Sequence, residues 1–148
     1  MEFKGQYLSY AEYRSLGGTL DITPFNLLEF ESRRQIDIRT QNRLKGVETK
    51  DIPQEAKLCI YALVSTINNY ASSIESATQN GNIASESIDG YSVSYVKSAQ
   101  IKEIIQSKSA EVDDIVRTYL VNVIFNNEHL MYVGVKEWLQ INRLQYII

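Results

Sequence analysis

The sequence predicts a mainly α protein, a helical bundle with a long central helix, a β-hairpin insert and an apolar C-terminal arm. Three observations carry that expectation. Apolar residues recur at steps of four and three from Ala56 to Ala77, the seam of tight helix packing. Helix start signals precede several apolar-periodic runs. The stretch around Asp89-Gly90 alternates Tyr91, Val93 and Tyr95 with serines, the pattern of a hairpin strand beside a tight turn.

Taken in order, Ser9 stands three residues before Glu12 and Gly17-Gly18 follows Leu16, so a capping box opens and glycine closes a short helix over Tyr10 to Leu16. Thr23 offers an N-cap before Pro24 and Gly46 a stop, which predicts a second helix from Pro24 to Lys45. Its acidic residues, Glu29 and Glu31, precede Arg33, Arg34, Arg39, Arg43 and Lys45, as the helix dipole favours. Phe25, Leu28, Ser32 and Ile36 share one face of it. Asp51, Pro53 and Gln54 open the third helix, carrying Ala56, Ile60, Leu63, Ile67, Tyr70, Ile74 and Ala77; from Pro53 to Thr78 it spans roughly 39 Å at ~1.5 Å per residue.

The hairpin is expected from Ile83 to Val96, and an isolated hairpin needs a partner surface. Ile101, Ile104 and Ile105 mark a short helix, and Ser107-Lys108-Ser109 interrupts it. Ser109 then caps a fifth helix with Glu111, Asp113 and Asp114 in its first turn and Val112, Ile115, Val116, Tyr119, Leu120 and Val123 on its apolar face, ending near Asn126-Asn127. The domain is expected over residues 1–135 and the arm over 136–148. In the arm, Trp138, Ile141, Leu144 and Ile148 suit a helix, while the β-branched ending suits a strand.

At 148 residues the chain has room for one domain with a real core. No apolar run approaches the ~20 residues that span a bilayer, and the N-terminus lacks a secretory pattern, so synthesis in the cytoplasm and no membrane association are expected. A single cysteine, Cys59, excludes an internal disulfide. With one histidine, His129, about seventy residues from it, no nucleophile–base motif stands out, and Cys59 is expected to be an inert packed thiol. Neither a phosphate loop nor a metal-ligand spacing occurs, so no cofactor is expected. A net charge of -3 lacks the footprint of a duplex-DNA binder, although the basic end of helix two leaves a DNA-binding packaging or regulatory protein as the alternative.

What resists an ordinary reading is apolar surface. Tyr91, Val93 and Tyr95 in the hairpin, and Trp138, Leu139, Ile141, Leu144 and Ile147 in the arm, are the candidate interaction residues, because patches of this kind mark interfaces. Ten tyrosines against four phenylalanines suit partner-facing surfaces as well as cores.

The order of Tyr7-Leu8-Ser9-Tyr10-Ala11-Glu12-Tyr13, Leu16-Gly17-Gly18, Phe25-Asn26-Leu27-Leu28-Glu29-Phe30-Glu31 and Ile36-Asp37 ahead of Thr40 and Arg43-Leu44 resembles the head–tail connector, or adaptor, family of tailed bacteriophages. Downstream, the segment from Ile83 to Tyr95 and Leu130-Met131-Tyr132-Val133-Gly134-Val135 are similar to that family's middle and closing motifs, with Val133 where Arg is more usual. The likeness covers residues 7 to about 135. It implies a non-enzymatic helical bundle, assembled in the host cytoplasm into a homo-oligomeric ring, usually dodecameric in the virion. That ring joins the portal protein to a downstream neck or tail completion protein. The genome passes through its channel without sequence-specific binding. Residues from Lys136 onward match nothing in the family.

Overall fold

A computed structural model describes residues 4–84 and 90–131, with the side chains of residues 79–98 left aside. Its elements are α1 (Tyr10–Ser15), α2 (Ile22–Thr40), a 3-10 turn (Thr49–Asp51), α3 (Gln54–Ala84), α4 (Gly90–Leu120), and an antiparallel pair of two-residue strands, β1 (Ile124–Phe125) and β2 (Glu128–His129). The protein is mainly α, built on a long helix pair with one small hairpin.

Local chemistry sets the first helix as expected. The Ser9 hydroxyl accepts from the Glu12 N–H at 3.1 Å, and the Glu12 carboxylate accepts from the Ser9 N–H at 3.0 Å. Gly17 then takes a left-handed φ of +102°, and Gly18 passes directly beneath the Tyr13 ring, where a Cβ would collide with ring carbons. The ring stacks on Phe25 with centroids 4.5 Å apart, inside an aromatic cluster that includes Tyr10 and Tyr61. Both hydroxyls are used: Tyr13 accepts from the Leu20 N–H and Tyr10 donates to the Leu20 carbonyl. Part of the tyrosine surplus therefore serves the domain's own core, with rings buried and polar tips satisfied.

The second helix differs from expectation at both ends. It starts at Ile22, two residues before the expected Pro24, with Asp21 rather than Thr23 in the N-cap conformation, and it ends at Thr40 rather than Lys45. Gln41 and Asn42 turn left-handed at φ 54° and 59°, and their N–H groups bond to the Asp37 carbonyl. That left-handed cap redirects the chain so that Leu44 is fully buried. Gly46, also left-handed, belongs to the following turn. Asp51 lies in the 3-10 turn, and Pro53 supplies the carbonyl that accepts the Lys57 N–H as α3 begins.

α3 buries Ala56, Cys59, Ile60, Leu63, Val64 and Ile67. The expected seam is buried as far as Ile67 and only half-buried at Tyr70, Ile74 and Ala77, and the helix runs to Ala84, beyond the expected Thr78. α4 corrects the expectation most. The expected strand Tyr91–Val96 is helical, the short helix at Ile101–Ile105 and the one from Ser109 are a single helix, and Ser107-Lys108-Ser109 does not interrupt it. Residues 85–89, the rest of the expected hairpin, lie outside the described residues. The reason lies in packing. Ile101, Ile104, Lys108, Val112 and Ile115, spaced by three or four, are all partly or wholly buried, so an apolar stripe continues through the supposed break. Lys108 fits into it by laying its alkyl stem along the stripe while its ammonium reaches Glu31 at 3.2 Å. Serine costs a helix only a few tenths of a kcal/mol, and pairing with α3 outweighs that.

α4 ends at Leu120, short of the expected Asn126-Asn127. Those two asparagines, both left-handed, instead form the turn between β1 and β2, which puts His129 in a strand rather than at a helix end. The Leu130 N–H bonds to the Val123 carbonyl at 2.8 Å, drawing Val123 and Leu130 into the core. The N-terminal segment is pinned on the other side. Glu29 is fully buried and accepts from the Tyr7 N–H at 2.9 Å and from Arg33 at 2.8 Å, while Arg33 also donates to the Gly5 carbonyl. Gln6 donates to Asn26, and Tyr7 donates to Asp37. Among residues with described side chains, the core stops at Ile67 on α3 and begins at Val112 on α4. The helix pair thus extends past the core, by about 25 Å on the α3 side at ~1.5 Å per residue.

Three substitutions test this packing. Leu63→Ala is expected to cost about 2–5 kcal/mol in chemical denaturation, and Gly18→Ala, which must displace Tyr13, at least about 1–3 kcal/mol. Ile105→Ala, on the half-exposed side of α4, should stay within about 0.5 kcal/mol.

Candidate interaction surfaces

The burial pattern of α2 divides it sharply. Phe25, Asn26, Glu29, Ser32, Ile36 and Thr40 face inward, as expected for Phe25, Ser32 and Ile36. On the opposite side Leu27, Phe30 and Ile38 are 59%, 46% and 64% exposed, with exposed Arg34 among them. At helical spacing these four form one stripe. The Arg33 guanidinium lies 5.2 Å from the centre of the Phe30 ring and 5.9 Å from that of Tyr7, bordering the stripe with charge.

The stripe leads into a groove of about 300 Å³ between the ends of α2 and α4, lined by Ile38, Arg39, Asp113, Arg117, Val121 and Met131. One wall is ionic: Asp113 receives Arg39 at 3.0 Å and Arg117 at 2.8 Å, and those bonds hold its carboxyl below the usual range. The other wall is apolar. A second groove of about 440 Å³ runs between α1 and the start of α3, with Leu8, Leu16 and Leu58 beside the Glu12–Lys57 ion pair. Burial alone would raise Glu12, but Lys57 and the Ser9 hydrogen bonds hold it below its ordinary value.

Most of the basic end of helix two turns inward. Arg33 is paired with Glu29, Arg39 with Asp113, and Arg43 donates to the carbonyls of His129 and Leu130 at 2.9 and 2.8 Å. Three of the five cations named from the sequence therefore knit the fold, and Arg34 and Lys45 remain exposed. Cys59 is buried, and that burial pushes its thiol up to about 12, so it carries no thiolate at neutral pH. Among the described residues no cluster of His, Cys, Asp or Glu could hold a metal ion, and no helix is long and apolar enough to cross a membrane.

Of the interaction residues named from sequence, Tyr91, Val93 and Tyr95 fall in the first turns of α4 rather than on a strand. Trp138, Leu139, Ile141, Leu144 and Ile147 lie outside the described residues, as does the expected boundary at 135. The structure brings forward residues that reading missed: Leu27, Phe30, Ile38 and Val121. A signal existed, since α2 carries apolar residues off its Phe25/Leu28/Ile36 face, and a helix apolar on two sides has two surfaces to cover. Comparisons of the chain with protein-family models, curated proteins and solved structures found no match.

Glu29 supplies a pH test of the site's support. Burial pushes its carboxyl up to about 7, against the opposing pull of the Arg33 guanidinium and the N–H groups of Tyr7 and Leu8. In the unfolded chain the group titrates near 4.5. The stability contributed by its proton is full below that value and is lost as pH rises through about 7. Denaturation curves at pH 5 and pH 8 should therefore show the wild type losing on the order of 2 kcal/mol across the interval. Glu29→Gln should remove most of that slope.

Proposed function

We propose that this chain is a structural virion protein of a tailed phage, a ring-forming adaptor that joins the portal of the head to the tail and extends the DNA channel. The single observation that carries the reading is the outward apolar stripe of α2, Leu27, Phe30 and Ile38, opposite a face already committed to the core. A lone subunit leaves that surface in water, where each Å² of apolar area costs about 25 cal/mol relative to burial. Exposed apolar surface of this kind, crossed by Arg34, suits a protein contact.

Three further points support it. The ordered motifs from Tyr7 to Val135 resemble the adaptor family, and a mainly α bundle is compatible with that likeness. The mild charge of -3 suits a channel wall that phosphates must pass without sticking. The basic residues of α2 and the turn after it that would serve a DNA-binding surface are largely spent on Glu29, Asp113 and backbone carbonyls. The partners of such a ring are sibling copies, the portal protein above and a neck or tail completion protein below. Its role is architectural rather than catalytic.

Deletion of the gene tests the reading. Mature particles should contain the polypeptide by mass spectrometry, and the deletion should yield filled or emptied heads without tails. Complementation with Leu27→Asp/Phe30→Asp, which leaves the inward face of α2 intact, should give a folded subunit that fails to join tails to heads. Infectious tailed particles lacking this chain would end the proposal, as would tight, salt-sensitive DNA binding by the free protein.

A further inference from the structure

Residues 4–8 lie on the bundle without belonging to any of its helices. Among the described residues, no backbone–backbone hydrogen bond joins them to the rest of the chain. Side chains hold their main chain instead. Arg33 Nη1 donates to the carbonyls of Lys4 and Gly5 at 3.2 and 2.9 Å, while Glu29 accepts from the N–H groups of Tyr7, at 2.9 Å, and Leu8. One ion pair, Arg33 Nε to Glu29 at 2.8 Å, therefore grips four of the five residues. The remaining polar ties run from Thr49 to the Gln6 carbonyl at 2.6 Å, from Gln6 to Asn26 at 2.9 Å and from the Tyr7 hydroxyl to Asp37.

We propose that residues 4–8 form a pH-sensitive strap, which lifts from α2 as Glu29 ionises while the helices stay folded. The ion pair beneath the strap is poorly served when the strap is down. Glu29 is fully buried, and Arg33 Nη2 is buried with no hydrogen-bond partner among the described residues. Arg33 is the one cation bonded to Glu29; of the cations on the other elements, Lys57 of α3 is paired with Glu12 and Lys108 of α4 with Glu31, and Arg39 further along α2 is paired with Asp113. Burial and the Asp37 carboxylate push the Tyr7 phenol well up, so it keeps its proton and Glu29 is the group that titrates. A lifted strap admits water to the carboxylate and to the unpaired guanidinium nitrogen, at the expense of exposing Tyr7 and Leu8. Under the closed strap the Glu29 carboxyl is pushed up to about 7, against 4.5 for a solvated one. A proton on Glu29 thus favours the closed form, and opening gains as pH rises between those values. The hinge falls at Ser9, whose bonds with Glu12 belong to α1 and survive opening. Leu8 also lines the groove beside α1, so the lifted strap takes one wall of that groove with it. The inference concerns the free chain and stands whatever the chain assembles with.

Amide hydrogen exchange of the full chain, read by nuclear magnetic resonance and expressed as protection factors, tests the strap, because that ratio removes the intrinsic pH dependence of exchange. The N–H groups of Tyr7 and Leu8 should be at least about tenfold less protected than those of Ile60 and Leu63 in α3, the mark of an opening smaller than global unfolding. From pH 5.5 to 7.5 their protection should fall about twentyfold. Glu29→Gln should abolish that fall. Thr49→Ala, which removes a neutral tie, should lower strap protection by the same factor at both pH values and keep the fall. Equal protection of the strap and α3 would overturn the proposal, since the strap would then open only with the whole fold. So would strap protection that is flat or rises with pH in the wild type, a fall that persists in Glu29→Gln, or one that Thr49→Ala removes.

Discussion

The constraint on which the rest of the structure depends is that α3 must be covered from more than one side. Ala56, Cys59, Ile60, Leu63, Val64 and Ile67 are all buried, more than a single neighbouring helix can shield. α2 supplies Phe25 and Ile36, α4 supplies Val112, Val116 and Leu120, and the N-terminal segment supplies Tyr7 and Leu8. The last of these has no helix of its own to hold it in place. It is held by polar groups, chiefly Glu29, whose buried carboxylate takes the Tyr7 N–H while Arg33 bonds the carbonyls of Lys4 and Gly5. Arg43 does the corresponding job at the far end, clamping the carbonyls of His129 and Leu130 where the β-hairpin ends. The charged residues of α2 and of the turn that follows it thus act as ties that bring irregular chain onto a helical core.

How much of this was legible in the sequence follows from how local each cause is. The capping box at Ser9 and Glu12 is a matter of four consecutive residues, and it forms as read. The α3 seam is a repeat within one helix, and its first half is the core. Non-local causes were not legible. Gln41 takes a left-handed conformation because Leu44 has to enter the core, and no glycine marks the place. α4 runs unbroken through Ser107-Lys108-Ser109 because α3 lies along it, and Lys108 conceals a stripe position behind a charge. The alternation of Tyr91, Val93 and Tyr95 fits a strand only while that neighbour is out of view. Glu29 reads in sequence as a dipole-favoured acid on a helix, yet it is a buried acceptor for a segment twenty-two residues away.

The candidate surfaces divide the same way. Apolar residues are easy to count, but whether Leu27 and Phe30 point outward depends on which face of α2 meets α3. The tyrosines show the converse, for Tyr7, Tyr10 and Tyr13 suit an interface by type and belong to the core by position. Among the described residues, what the core leaves over includes a stripe on α2, the grooves beside α2 and α1, and a helix pair longer than the bundle that anchors it. The adaptor proposal assigns them to contact with other protein surface.

The most direct measurement is hydroxyl-radical footprinting of Leu27 and Phe30 in the free chain and in purified phage particles. Strong labelling of both in solution and marked protection of both in the particle is the result this account predicts. Equal labelling in the two states would mean that the outer face of α2 meets nothing, and would contradict it.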